Sequence, residues 1–566
     1  VLKFNRPVIS VASNNFFILH CVIIIAITAV SYLNCWHADF ISLDDMSILD
    51  SLQTSERTLS SMFLGGGGDY FRPLTFISFI FDLSLFGRDA RWFHFVNLLI
   101  HIANSLLLYL LARQLFKQYT QGGSAAFCAA LLFALHPVNT EAVMWVASRT
   151  DLLCCFFFLL ALIAGLNMEL SNAKAGGAFF LMYLCSLLAK EASIAVVLIV
   201  PFYCLLNRKT ISKSRCITLL TATGTATLLY LLMRNGFTST PDKGIVKVIS
   251  ASSSSTQFLT ETLAVFGFYV KKLFVPLPLN FAIVTVNTHV YVWVGIVFVL
   301  IVTIMLFRAS PLRLPLLIVV CGIVPPLMAM HGKLPWTPFA ERYLYIPSIG
   351  FALVAGTIIA CFDTVWLRRL FYGVVMVCGV ITVDRVALWT DSKAFWYDVL
   401  NKSPEFSRSY VGVAIELIKE SKLDEAQVLL KKSLKMGFNS DFVWSNLAAI
   451  HLARKNYTEY EKAIDRAAQL SKQPASYYRM LVQVVTRHLD YYDDKDALYR
   501  RIAGYYLKAY AKDPTYIDGL YNTAKTYMYL NENELALKYF NQFLETPGDT
   551  MYRPYAKLLI AKIEKK

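Results

Sequence analysis

The chain has 566 residues, of which 56% are hydrophobic and only 16% charged, with a mean hydropathy of +0.49. An ordinary soluble domain is about a quarter charged, so a single soluble globule is excluded. The net charge of +15 does not indicate nucleic-acid binding, because part of it lies in short loops between apolar runs and no dense basic stretch with interleaved aromatics follows them.

The charges are unevenly placed. After residue 400 there are 26 Lys and Arg and 20 Asp and Glu, which leaves 28 basic and 19 acidic residues in the first 400. Two domains of different solvent class follow from this: a membrane domain over 1–390, and a soluble one over 407–566 reached through a linker at 391–406. All eleven cysteines lie before residue 379, mostly in apolar runs such as those of Cys154, Cys155, Cys185 and Cys378, and read as core residues.

A membrane span needs about 20 apolar residues. Candidates fall near 16–34, 92–112, 125–145, 152–170, 178–189, 192–206, 217–233, 290–307, 313–330, 343–361 and 367–386, about eleven in all. The first lacks a small-residue cleavage signature and reads as a retained span. The fifth and sixth are short and could be one element broken around Lys190 and Glu191. Basic loops at Lys3 and Arg6, Arg113 and Lys117, Arg208 to Arg215, Arg308 and Arg313, and Arg368 and Arg369 fall on one side of this layout. That side is cytoplasmic. The stretches 35–91 and 235–289 and everything beyond the last span then lie opposite. The apolar piece Phe258–Phe274 ends in Lys271 and Lys272 and is expected to lie along the interface or re-enter.

Polar residues at the edges of an apolar bundle are functional suspects. In chain order they are Asp44 and Asp45, Arg72, His136 and Glu141 in HPVNTEAV, Arg149 and Asp151, Lys190 and Glu191, His331 and Lys333, and Glu341 and Arg342. Two adjacent carboxylates suit a general base for a hydroxyl, or oxygen ligands for a hard divalent cation. Arginine and lysine suit a phosphate leaving group. Carboxylates and cations together on the outer side of a bundle suggest transfer from a lipid-linked phosphate. Each has a plainer reading. Asp44 and Asp45 could cap a helix or face solvent, His136 could be a structural donor, Glu341 and Arg342 a simple ion pair, and Arg149 and Asp151 a helix cap.

From Ser407 the pattern becomes amphipathic with helical period. Two stretches begin 34 residues apart, at Ser407 and Asp441, and a third clear unit begins at Tyr516. Each carries an acidic turn followed by alanine on its second helix, at Ala426, Ala463 and Ala536. The period resembles the tetratricopeptide repeat, with 474–515 as a lengthened, degenerate unit. About four helix pairs would form a short solenoid whose concave face docks an acceptor or partner, or simply caps the membrane domain.

The segments FISLDD, YFRPLTFISFIFD, WFHFVNLLIHIANSLLLYLL, LLFALHPVNTEAVMWVASRTDLLCCFFFLLAL, LLAKEASIAV and AERYLYIPSIGF occur in this order. Together they resemble the transmembrane and tetratricopeptide-repeat-containing proteins, a family similar to the protein O-mannosyltransferases. The resemblance covers about 1–400 and implies an all-α architecture: a polytopic GT-C-type membrane bundle followed by the repeat solenoid. It implies an inverting glycosyltransferase that moves a hexose, mannose in the eukaryotic members, from a polyprenyl phosphate to a hydroxyl. Asp44 or Asp45 would be the catalytic acid-base residue, with Glu141 matching the family's HPxxTEAV glutamate. Arg342, with Arg149, Lys190 or Arg72, would meet the phosphate. His136, Asp151, Glu191, Glu341 and His331 would be further pocket residues. A divalent cation (Mg or Mn) at Asp44 and Asp45 is compatible with this but not required. The implied partners are the bilayer, the polyprenyl-phosphate sugar and an acceptor protein on the repeats, with no nucleic acid. A short repeat array and no evident retention signal favour a bacterial inner membrane with periplasmic repeats, against the endoplasmic reticulum with lumenal ones. The rival functions are a non-catalytic membrane scaffold and a transferase with a lipid-linked glycan acceptor. The glycine run Gly65–Gly68 and the short array depart from the family and leave the acceptor open.

Overall fold

In a computed structural model the chain is described over residues 13–41, 45–54, 71–237, 255–308, 310–331, 337–362, 364–471, 474–548 and 550–565. Asp44, Gly65–Gly68 and Lys333 lie outside these residues. Among the described residues the chain is all helical, apart from one isolated bridge between Ile283 and Phe339. It divides into two compact units, Val1–Ser403 and Pro404–Lys566.

The first unit is a multi-pass membrane bundle. Among the described residues seven helices are long and apolar enough to cross a bilayer, and the bent pair Gly122–Leu135 and Pro137–Met144 makes an eighth. The expected count of eleven is reached only by adding three shorter apolar helices, Phe16–Ser31, Glu191–Leu206 and Arg313–Met328. The fifth element is longer than expected. It runs over Asn172–Ala189, because Ser171 caps its start by accepting from the Lys174 amide. A 3-10 turn over Glu191–Ala195 then separates it from Val196–Leu206. The expected break at Lys190 and Glu191 is therefore present.

Burial sorts the helices by role. In Glu341–Phe362 72% of the most apolar window is inside the bundle, against 11% in Thr288–Arg308. The first is a central pillar and the second faces lipid. That outer helix meets the bundle through Ser255–Phe274, where Gly267 faces the Tyr291 carbonyl and Gly295 faces the Leu263 carbonyl. A side chain at either glycine would strike backbone, so the two helices approach as small-residue contacts allow in lipid.

In the second unit the helices pair as Ser407–Lys419 with Leu423–Lys435, Asp441–Ala453 with Tyr457–Leu470, Pro474–Arg487 with Lys495–Lys512, and Asp518–Tyr529 with Asn533–Glu545, followed by Arg553–Glu564. The repeat alanines Ala426, Ala463 and Ala536 are all buried. The first helices of three pairs end alike, with Ser421, Lys455 and Asn531 at φ of 61°, 58° and 59°. The next amide in each reaches back five residues, Lys422 to Leu417, Asn456 to His451 and Glu532 to Tyr527, which is the Schellman pattern. In the pair of Pro474–Arg487 a 3-10 turn, Leu489–Tyr491, follows the first helix instead, which is how this unit is lengthened.

Candidate active site

The site is organised by one buried stretch, 136–151, that leaves the helix Gly122–Leu135, bends by 48° and enters Arg149–Leu166. Proline at 137 cannot continue the first helix. The chain crosses in short helical turns, from which side chains and amides point in several directions. His136 accepts from the Val138 amide at Nδ1 and donates from Nε2 to the Leu273 carbonyl at 2.9 Å. Through these bonds His136 ties this turn to the end of Ser255–Phe274. Asn139 donates to the Phe133 carbonyl and accepts from Ser348.

Glu141 is the next tie. It accepts from the backbone amides of Glu341 and Arg342 at 2.9 and 3.2 Å, and pairs with the Arg342 guanidinium. One carboxylate therefore caps the start of the Glu341–Phe362 segment and neutralises its arginine. The Arg342 guanidinium lies over the rings of Trp145 and Tyr343, at 4.6 and 4.9 Å. Beside it Glu341 takes the Lys272 ammonium at 2.7 Å and the Asn280 amide at 2.9 Å. Lys272 is buried.

Asp45 joins from the first external segment. Its carboxylate accepts from the Ile41 amide and from the Ala147 amide, both at 2.9 Å. Two residues on, Arg149 is fully buried. It donates to Asp82, to Asn97 and to the Phe93 carbonyl, at 2.5, 2.8 and 2.9 Å, and lies 4.6 Å over Phe79. These partners take its charge and its fork, so Arg149 is committed to Asp82, Asn97 and Phe93 and does not join the cations around Tyr343. Its partner, Asp82, was not singled out in the sequence; its one signal there was a lone acid in the apolar helix Pro73–Phe86.

The last residue of the stretch, Asp151, receives Lys190 at 2.7 Å on both oxygens. Lys190 sits 5.6 Å over the Tyr343 ring. The neighbouring Glu191 receives Arg72 through two parallel bonds of 3.0 and 2.5 Å. Arg72 is held by its neighbour Phe71, which packs on Tyr230.

Lys190 and Arg342 thus flank Tyr343, whose ring is the meeting point that the sequence did not single out. Arg72, joined through Glu191 to the turn after Lys190, completes a group of three cations drawn from segments 118 and 152 residues apart. Each is neutralised by its own carboxylate. The pairs differ in exposure. Side chains of Lys190 with Asp151, Lys272 with Glu341, and Arg342 with Glu141 are at most 10% exposed, whereas Arg72 is 17% and Glu191 40% exposed. The open side of the cluster is therefore at Arg72.

His331 stands apart. It bonds Thr262 at 2.9 Å and stacks on Phe258 at 4.1 Å, joining its own helix to Ser255–Phe274. Among the described residues no group of three or more His, Cys, Asp or Glu side chains gathers as a metal site; the pair expected to hold one includes Asp44, outside those residues.

The chain matches no family model. It is 25% identical over 374 residues to a protein O-mannosyl-transferase of Caenorhabditis elegans, covering 60% of this chain and 51% of the relative. A human protein O-mannosyl-transferase is 35% identical over 139 residues, 22% of this chain and 15% of its own. The chain thus spans about half the length, or less, of these relatives. Among solved structures, the Archaeoglobus fulgidus oligosaccharyltransferase with a tethered acceptor peptide aligns over 73% of this chain and 59% of its own, at 14% identity and a TM-score of 0.38.

Proposed function

We propose that the chain is a membrane glycosyltransferase that moves a hexose from a polyprenyl phosphate to a hydroxyl of an acceptor protein. The observation that carries this is the convergence of Lys190 and Arg342 on Tyr343, with Arg72 joined through Glu191 to the turn after Lys190, at the ends of membrane helices. Three cations at the rim of an apolar bundle suit one phosphate whose chain stays in the bilayer. The names of the curated relatives point to the same chemistry.

The reaction is a single displacement. The acceptor oxygen attacks the anomeric carbon as the bond from that carbon to the phosphate oxygen breaks. The electron pair leaves on the polyprenyl phosphate, and the hydroxyl proton passes to a carboxylate of the Asp44 and Asp45 pair. Arg342, Lys190 and Arg72 stabilise the negative charge that grows on the leaving phosphate. Preorganised charges of this kind are worth about a hundredfold or more in rate each. Glu141 and Asp151 keep Arg342 and Lys190 in place between turnovers. The Ala147 amide holds the Asp45 carboxylate. A divalent cation is compatible with the acid pair, and no step is assigned to it. The GT-C fold, the mannosyl group, the repeats as acceptor dock and their non-cytoplasmic side belong to the same proposal. The relatives matched above are animal proteins, which favours the endoplasmic reticulum over a bacterial inner membrane.

The test compares intact masses of secreted and surface proteins from cells carrying the wild-type chain or Asp44→Asn or Asp45→Asn. A hexose-sized increment present with the wild type and lost in at least one variant is expected. Retention of the full increment in both variants removes the acid pair from the mechanism. An absence of any increment with the wild-type chain present contradicts the transferase reading.

A further inference from the structure

We propose that Glu191 is a stand-in for the donor phosphate: its carboxylate occupies the Arg72 fork while the site is empty and is displaced when a phosphate binds. This rests on the phosphate-binding reading above. A carboxylate taking two parallel guanidinium bonds presents the oxygen spacing that a phosphate presents to the same fork. Glu191 does this toward Arg72 at 3.0 and 2.5 Å.

Among the carboxylates of the cluster, Glu191 is the one built to leave. Glu141 also holds two backbone amides, and Glu341 holds the Asn280 amide, so moving either would strand buried donors. Asp151 is 9% exposed and meets Lys190 with both oxygens. Glu191 bonds Arg72 and, in its own turn, its own backbone amide, and its side chain is 40% exposed. It can rotate toward water without uncovering a buried partner. It also begins a 3-10 turn directly after Lys190, so its departure shifts no helix end that carries another cation.

Charge makes the exchange useful. With Glu191 in place each of these cations meets a carboxylate among the described residues, and a buried charge left without one is costly. Once Glu191 swings out, Arg72 faces the phosphate beside Lys190 and Arg342. When the product phosphate leaves, Glu191 closes the fork again. A competing internal group lowers apparent affinity by the fraction of time the fork is closed.

The test measures binding of farnesyl phosphate, with farnesol as control, to the full chain in lipid nanodiscs. Wild type should bind farnesyl phosphate and not farnesol. Glu191→Gln should tighten binding about fivefold, the release of one partly exposed ion pair. Arg72→Gln should weaken binding, and the double variant should bind no better than Arg72→Gln alone. If Glu191→Gln proves unstable, Glu191→Asp, which keeps the charge on a shorter stem, should tighten binding by a smaller factor. Selective binding of farnesyl phosphate by the wild type, with unchanged or weaker binding by both Glu191 variants, overturns the stand-in while leaving the phosphate site intact. Equal affinity for farnesol and farnesyl phosphate overturns the phosphate reading and the stand-in with it.

Discussion

At the scale of single residues, charges of the same type divide into two kinds. Arg149 and Arg342 both stand at the start of a membrane helix, but Arg149 is closed in by Asp82, Asn97 and the Phe93 carbonyl, while Arg342, paired with Glu141, shares the Tyr343 ring with Lys190. Arg149→Ala should therefore destabilise the membrane unit by about 3 kcal/mol, the cost of leaving Asp82 buried and unpaired. It should leave phosphate affinity of the folded fraction unchanged; thermal unfolding and farnesyl phosphate binding separate the two effects. Glu141→Gln should cost about 3 kcal/mol for the same reason, and should also weaken phosphate binding because Arg342 loses its tether. Asp45→Asn replaces an acceptor of two backbone amides by a group that can serve only one, a loss of about 1–3 kcal/mol, read as lower thermal stability. The residue types at these positions were legible in the sequence, since a charge in an apolar run needs a reason. Their partners were not. Asp82 lies 67 residues from Arg149 and Lys272 lies 69 from Glu341, and chain separation says nothing about which charge meets which.

At the scale of elements, the repeat turns were the most readable and the broken membrane helices the least. The 34-residue spacing from Ser407 to Asp441 returns in the structure as the spacing of Ser421 and Lys455, two left-handed residues that close equivalent turns. A non-glycine residue in that region costs about 1 kcal/mol. Ser421→Gly and Lys455→Gly should each stabilise the repeat unit by about 0.5–1 kcal/mol; a fall in its unfolding midpoint would contradict the turn assignment. At the start of the last full pair, burial alone would raise the Asp513 carboxyl, but bonds from Thr515 and Arg479 outweigh it and hold it below its ordinary 3.8. A lowered carboxyl stabilises the fold above its unfolded value, and that contribution is lost as pH falls through its folded value. The repeat unit should therefore lose stability below about pH 4 more steeply than its Asp513→Asn variant. In the membrane unit hydropathy located the apolar segments but not their breaks. The stretch 136–151 reads as part of a span followed by a loop, yet it is a run of short turns whose mostly buried bonds organise the candidate site.

At the scale of the whole molecule, the charge split near residue 400 corresponds to the division into Val1–Ser403 and Pro404–Lys566. The cation cluster and the repeats thus fall in separate units, and on the proposed account the first supplies transfer and the second selects what is modified. The measurement that tests this most directly uses the purified full chain in nanodiscs with dolichyl phosphate mannose and a Ser/Thr-containing acceptor protein. Sugar on the acceptor and free dolichyl phosphate are followed together. The account predicts equal amounts of both products, and a fall of about a hundredfold in their rate for Arg342→Gln. Release of dolichyl phosphate without sugar on the acceptor, or the same rate from the Arg342→Gln chain, would contradict it.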